Sequence, residues 1–115
     1  MIAVIFESWP KPGKAQTYLD MGAALASHLN DLDGFISIER FQSVVDSGKM
    51  LAISFWRDEA AIENWRKNDV HRRIQAKSRD IVFDDYRLRV AAVVRDYTMS
   101  AREQAPADSR AAHHY

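Results

Sequence analysis

The stretch SFWRDEAAIENWRKNDVHRRIQ, Ser54 to Gln75, changes its period partway along. Up to Trp56 it is strand-like. From Asp58 onward it is helix-like: Asp58 is of the type that caps a helix N-terminus, and Ala61, Ile62 and Trp65 recur at helical spacing. The spacing predicts a strand that ends at Trp56 and a helix that runs through Trp65. Asn68-Asp69 interrupts that helix, and Asp69 can cap a second segment reaching about Phe83.

Upstream, Met50 to Trp56 is the return strand of a hairpin. The turn is DSGK, Asp46 to Lys49, with Gly48 expected where positive φ is needed. Its outgoing strand is Phe35 to Val45. Before that, Tyr18, Met21, Leu25, Leu29 and Leu32 fall three and four apart, so Lys14 to Leu32 reads as a helix ended by Asn30, Asp31 and Asp33-Gly34. Gly22 inside it is either a mild defect or a point of close approach to the sheet. Ile2 to Trp9 is a strand that Pro10 ends, and Lys11 to Gly13 is a turn. Downstream, Tyr86 to Tyr97 is the last strand.

The order is therefore β-α-β-β-α-β. This predicts an α+β, ferredoxin-like domain over residues 1–98, with a four-stranded antiparallel sheet and two helices on one face. Residues 99–115 (SAREQAPADSRAAHHY from Ser100) lose periodicity and read as a flexible tail. His113-His114 within it lacks a third ligand and reads as inert toward metal.

Two strands are apolar on both sides: Val90-Ala91-Ala92-Val93-Val94 without a break, and Phe35, Ile36, Ile38 and Phe41. A sheet with one wet face alternates instead. The uncovered face is expected to meet a second copy of the chain, giving a homodimer with barrel-like closure.

Composition narrows the function classes. The 115 residues suit one domain, with 47% hydrophobic and 28% charged residues. Sixteen basic residues balance sixteen acidic ones, which leaves no field for nucleic acid or an anionic membrane. There is no cysteine, so disulfide, thiolate and Cys-metal chemistry are out. The apolar run at the N-terminus stops at Glu7, too short for a signal or a membrane span. A cytoplasmic location is expected.

The element order, the segment GFISIERFQS, the hairpin and the pattern Trp56, Asp58, Glu59, Ala60 and Trp65 followed by a histidine resemble the antibiotic biosynthesis monooxygenase domain family over about residues 1–98. The resemblance implies a dimeric α+β barrel. It also implies one of two chemistries. Polyketide-tailoring members oxidise phenolic rings to quinones with O2 and neither metal nor flavin, in a pocket between sheet and helices. Haem-degrading members use a first-strand Asn, a helix Trp and a downstream His as iron ligand. Trp65 matches the helix tryptophan. Glu7 or Ser8 stands at the Asn position and Gln75 at the ligand position, with His71 one turn earlier.

The candidate catalytic residues are His71 and Trp65. A neutral imidazole at His71 could take a phenolic proton, since its ordinary pKa is about 6.5, and a phenolate gives an electron to O2 more readily than a phenol. The plainer alternative is a helix-surface histidine. Trp65 is either a core plug or a wall that stacks on a planar substrate. Glu7, Tyr86, Arg87 and Trp56 are the candidate substrate-binding residues: Glu7 interrupts an apolar strand, and Arg87 could hold an anionic oxygen. For some of Glu7, Glu39 and Arg40 the plainer reading is a Glu–Arg pair across the dimer face; the two-residue period puts Ser37, Glu39 and Phe41 on one face and Ile36, Ile38 and Arg40 on the other. His28 reads as a helix-surface residue. No metal-ligand spacing is found. Three functions follow: a cofactor-independent monooxygenase for a small aromatic molecule, a non-catalytic dimeric ligand-binding or stress-associated module, or a haem-binding, haem-degrading enzyme.

Overall fold

A computed structural model describes residues 1–68, 72, 73, 76 and 82–112. Its elements in chain order are β1 (Ile2–Pro10), α1 (Ala15–Leu29), β2 (Phe35–Gln42), β3 (Met50–Trp56), α2 (Glu59–Arg66), β4 (Phe83–Ala92) and a short C-terminal helix, α3 (Ala107–Ala112). The four strands form one antiparallel sheet in the order β2-β3-β1-β4. This is the ferredoxin-like arrangement expected from the element order.

The crossing from β3 to α2 forms where the period changes. Asp58 is extended at the N-cap and its carboxylate accepts the Ala61 N–H at 2.9 Å, which satisfies one of the donors a helix start leaves open. Arg57 beside it is clamped on both Asp33 oxygens at 3.0 Å and on Asp58 at 2.9 Å. Those bonds from Arg57 hold both carboxyls below their usual range and raise the guanidinium above its own. Gly34 completes the corner. Its φ of +85° is open to glycine, and its carbonyl accepts the Arg57 N–H at 2.8 Å.

Several boundaries differ from the periodicity, and for the strands pairing decides them. β4 begins at Phe83 and ends at Ala92 rather than running from Tyr86 to Tyr97, since its partner β1 begins at Ile2, opposite Ala92. β2 stops at Gln42. Ser43 to Lys49 then form the loop, closed by Ser43 N–H to the Lys49 carbonyl at 3.0 Å, and Val44 and Val45 are fully exposed within it. Gly48 does not have positive φ: the Asp46 carboxylate accepts its N–H at 3.0 Å and turns the chain instead. α1 ends at Leu29, three residues before the periodicity does. The expected second helical segment after Asn68 falls largely outside the described residues.

The tail carries more local structure than its composition suggests. Asp96 N–H donates to Gln104 at 2.9 Å, Arg102 lies 5.0 Å over the Tyr97 ring, and Ala105 is buried, its N–H donating to the Arg102 carbonyl at 3.1 Å. His113-His114 lies outside the described residues.

The core is small and sits at one end. Leu29, Trp56, Ala61 and Trp65 are buried together, with Val4, Leu25, Leu32, Phe35, Ile38 and Ile62 packed around them. The face of the sheet away from the helices carries Ile5, Leu51, Ile53 and Phe55, all half-buried, among charged residues. No described helix is long and apolar enough to cross a membrane.

Candidate functional site between the sheet and the helices

The antiparallel register places side chains in rows across the sheet. One row runs Arg40, Ala52, Phe6, Leu88, and the next runs Ile38, Ser54, Val4, Val90. Both rows face the helices, because side chains directly opposite in a ladder share a face. Ala52 and Ser54 are small, so the floor dips along β3. The roof comes from α1, through Tyr18, Met21, Gly22, Leu25 and Leu29, and from α2, through Ile62, Trp65 and Arg66. Floor and roof enclose a cavity of about 310 Å³, at the small end of the range typical of ligand sites.

The two ends of the cavity differ. At one end Trp56 and Trp65 form the wall, and Trp56 Nε1 donates to Ser54 Oγ at 2.9 Å. At the other, Phe6, Tyr18, Phe83 and Tyr86 pack edge to face or tilted, with centroids 5.5 to 6.1 Å apart. Two polar groups in the wall stand out. The Tyr18 hydroxyl and Arg40 Nε are buried and hydrogen-bond to no described residue. The Arg40 guanidinium carbon lies 5.9 Å from the Tyr18 ring centroid.

The candidate residues divide between the two faces. Trp65, Trp56 and Tyr86 line the cavity. Glu7 and Arg87 are cross-strand partners on the opposite face. Glu7 pairs there with Lys49 at 3.4 Å and Arg89 at 3.2 Å, so neither Glu7 nor Arg87 can orient a molecule held beside Trp65. The Glu39–Arg40 pair is also corrected, because Arg40 turns to the helix face and into the cavity wall. His71 and Gln75 lie outside the described residues. His28 is exposed on α1, as expected.

Sequence reasoning missed Arg40 and Tyr18 as site residues. A signal for Arg40 was present: by parity it shares a face with Ile38 rather than with Glu39. Nothing told which face the helices would cover. As for haem, iron is held by His, Cys, Met or Tyr. Of these types the described cavity wall contains Met21, Tyr18 and Tyr86 but no His or Cys, and the described residues hold no cluster of three or more His, Cys, Asp or Glu side chains. A histidine ligand for haem would have to come from outside the described wall.

The profile of the antibiotic biosynthesis monooxygenase family matches residues 1–77. A Pyricularia oryzae protein named jasmonate monooxygenase ABM is 42% identical over 113 residues, covering 90% of this chain and 53% of that protein. The chain thus spans about half the length of that relative. The Bacillus subtilis protein YqjZ, which is uncharacterized, is 30% identical over 93 residues, covering 81% of this chain and 79% of its own. Among solved structures, Rv0793 from Mycobacterium tuberculosis superposes with a TM-score of 0.75 at 18% identity, covering 84% of this chain and 98% of that one. That likeness speaks for the fold. With the family profile spanning most of the sheet and both helices that build the cavity, the chain belongs to the antibiotic biosynthesis monooxygenase family.

Proposed function

We propose that the chain is a monooxygenase that encloses one small, largely apolar organic molecule between sheet and helices and oxidises it with O2, without a bound metal or flavin. The observation that carries this reading is the cavity itself: aromatic at both ends, walled by Trp56 and Trp65, in a chain of this family. A phenol or anthrone suits it chemically. The substrate supplies the electrons. One oxygen atom becomes the new carbonyl and the other leaves as water with two substrate hydrogens, so a phenol and O2 give a quinone and water. The slow step needs the phenolate, hence a base. The described wall holds no carboxylate or imidazole, and His71 is the proposed base. Trp65 holds the ring flat.

Oxygen uptake tests this with a panel of naphthols, quinols and anthrones, and with jasmonate in the presence of an added two-electron reductant such as a reduced nicotinamide, because the fungal relative is named for it. The expected result is one O2 consumed per substrate, with one ¹⁸O atom in the product and no loss of rate after chelation. His71→Ala should lower the rate about 100-fold or more, and Trp65→Phe about tenfold through poorer positioning. No uptake across the panel refutes the reading.

We further propose a homodimer, with the outer sheet face of one copy on that of the other. Its support is the apolar group Ile5, Leu51, Ile53 and Phe55, joined by Phe41, which is 44% exposed. Light scattering at micromolar concentration is expected to give twice the chain mass, and Ile53→Glu the single mass. A single mass for the native chain rules this out.

A further inference from the structure

We propose that the molecule held in the cavity carries a carboxylate, and that Arg40 holds it. This rests on the reading of the cavity as the substrate site and names the class of substrate.

A guanidinium is charged at any ordinary pH. No acidic side chain pairs with Arg40 among the described residues, and its Nε is buried without a partner. Arg40 is half-buried, and the surrounding shape makes room for its guanidinium. On α1, Gly22 leaves room for it: a Cβ at that position would stand 2.6 Å from the guanidinium carbon and 2.7 Å from Nε. On β3, its cross-strand neighbour Ala52 is small. The Tyr18 hydroxyl, also buried and without a hydrogen-bond partner among the described residues, belongs to the ring the guanidinium lies against.

Arg40 lines the cavity and offers an anion there a planar, forked donor. A single guanidinium matches a monoanion, and its fork matches the two oxygens of a carboxylate. Phosphate, with close to two charges, would call for more cations than this wall offers. Arg66, the other arginine on the cavity, is exposed on the surface of α2. The body of the ligand must be apolar, since the wall beyond Arg40 consists of Val4, Ile38, Leu25, Trp56 and Trp65. The substrate is thus an amphipathic monocarboxylate, with its reacting carbon toward the tryptophan end.

Calorimetric titration with 2-naphthoate, methyl 2-naphthoate and 2-naphthol tests this. Native protein is expected to bind the acid about tenfold or more tightly than the ester, the scale of a charge-assisted hydrogen bond. Arg40→Met should abolish that preference and leave ester affinity unchanged, which also reports that the cavity is intact. Arg40→Lys, which keeps the charge but not the fork, should recover part of it. Equal binding of acid and ester by native protein, or a preference that survives Arg40→Met, overturns the proposal. In either case, ester binding and oxygen uptake would leave the cavity reading standing. Failure of all three ligands to bind, with no oxygen uptake, would overturn both.

Discussion

Trp56→Ala is expected to destabilise the chain by about 3–5 kcal/mol, the usual cost of deleting a buried indole. A domain of this kind has about 5–15 kcal/mol in total, so much of its stability is at stake. Trp56 is 2% exposed and packs on Leu29, Ala61 and Trp65, with the Phe35 ring edge-on at 5.3 Å. It is where β3, α1 and α2 meet, so no neighbour can close the hole without moving an element. Its Nε1 also satisfies the buried Ser54 hydroxyl oxygen. Trp56→Phe keeps most of the bulk and leaves that oxygen unpaired, a smaller cost of about 1–3 kcal/mol. Urea unfolding of the two variants separates packing from hydrogen bonding. A loss below about 1 kcal/mol for the alanine variant would mean that the indole is a site wall with little structural role.

Gly34→Ala should be nearly as damaging, by about 2–5 kcal/mol, although it adds a single methyl group. At a φ of +85° an L side chain is strained, by about 1–2 kcal/mol. The new Cβ would also stand 2.6 Å from the Ala61 Cβ, an overlap that costs roughly 1–3 kcal/mol more. Ala61 is fixed by the Asp58 cap, so relief requires α2 to move, and Trp65 moves with it. Ligand binding should therefore weaken along with stability. Gly13→Ala is the control. Its φ is +79° but nothing lies within 4 Å of the added Cβ, so only the conformational cost remains. If thermal melts show the two variants equally destabilised, there is no steric contact at the corner.

Both predictions concern the stretch from Ser54 to Trp65. It was legible because each local signal agreed: β-branched and aromatic residues up to Trp56, a capping aspartate, and helical spacing thereafter. The ends of β2 and β4 were not legible. A strand ends where its partner ends, and the apolar run Val90 to Val94 continues past Ile2, which β4 meets at Ala92. In the site, Trp65 was legible from its spacing to Ala61 and Ile62. Glu7 was assigned to the cavity because it interrupts a strand that is apolar from Ile2 to Phe6, and Arg87 because it opens the last strand and could hold an anionic oxygen. Parity then says which residues go together but not which set the helices cover.

Periodicity, caps and turns, which act over a few residues, were enough for the order of elements over residues 1–98 and for the antiparallel ferredoxin-like sheet, while the residues from Trp56 to Trp65 carried the resemblance to the family. Which face is which depends on contacts between residues far apart in the chain. Register across β2, β3, β1 and β4 sets Arg40, Ala52 and Phe6 in one row under Gly22 and Tyr18, residues up to 46 positions apart in the chain (52 − 6). No local rule connects them. Their juxtaposition puts an arginine expected in a pair across the dimer face into the cavity wall instead, with no ion pair among the described residues.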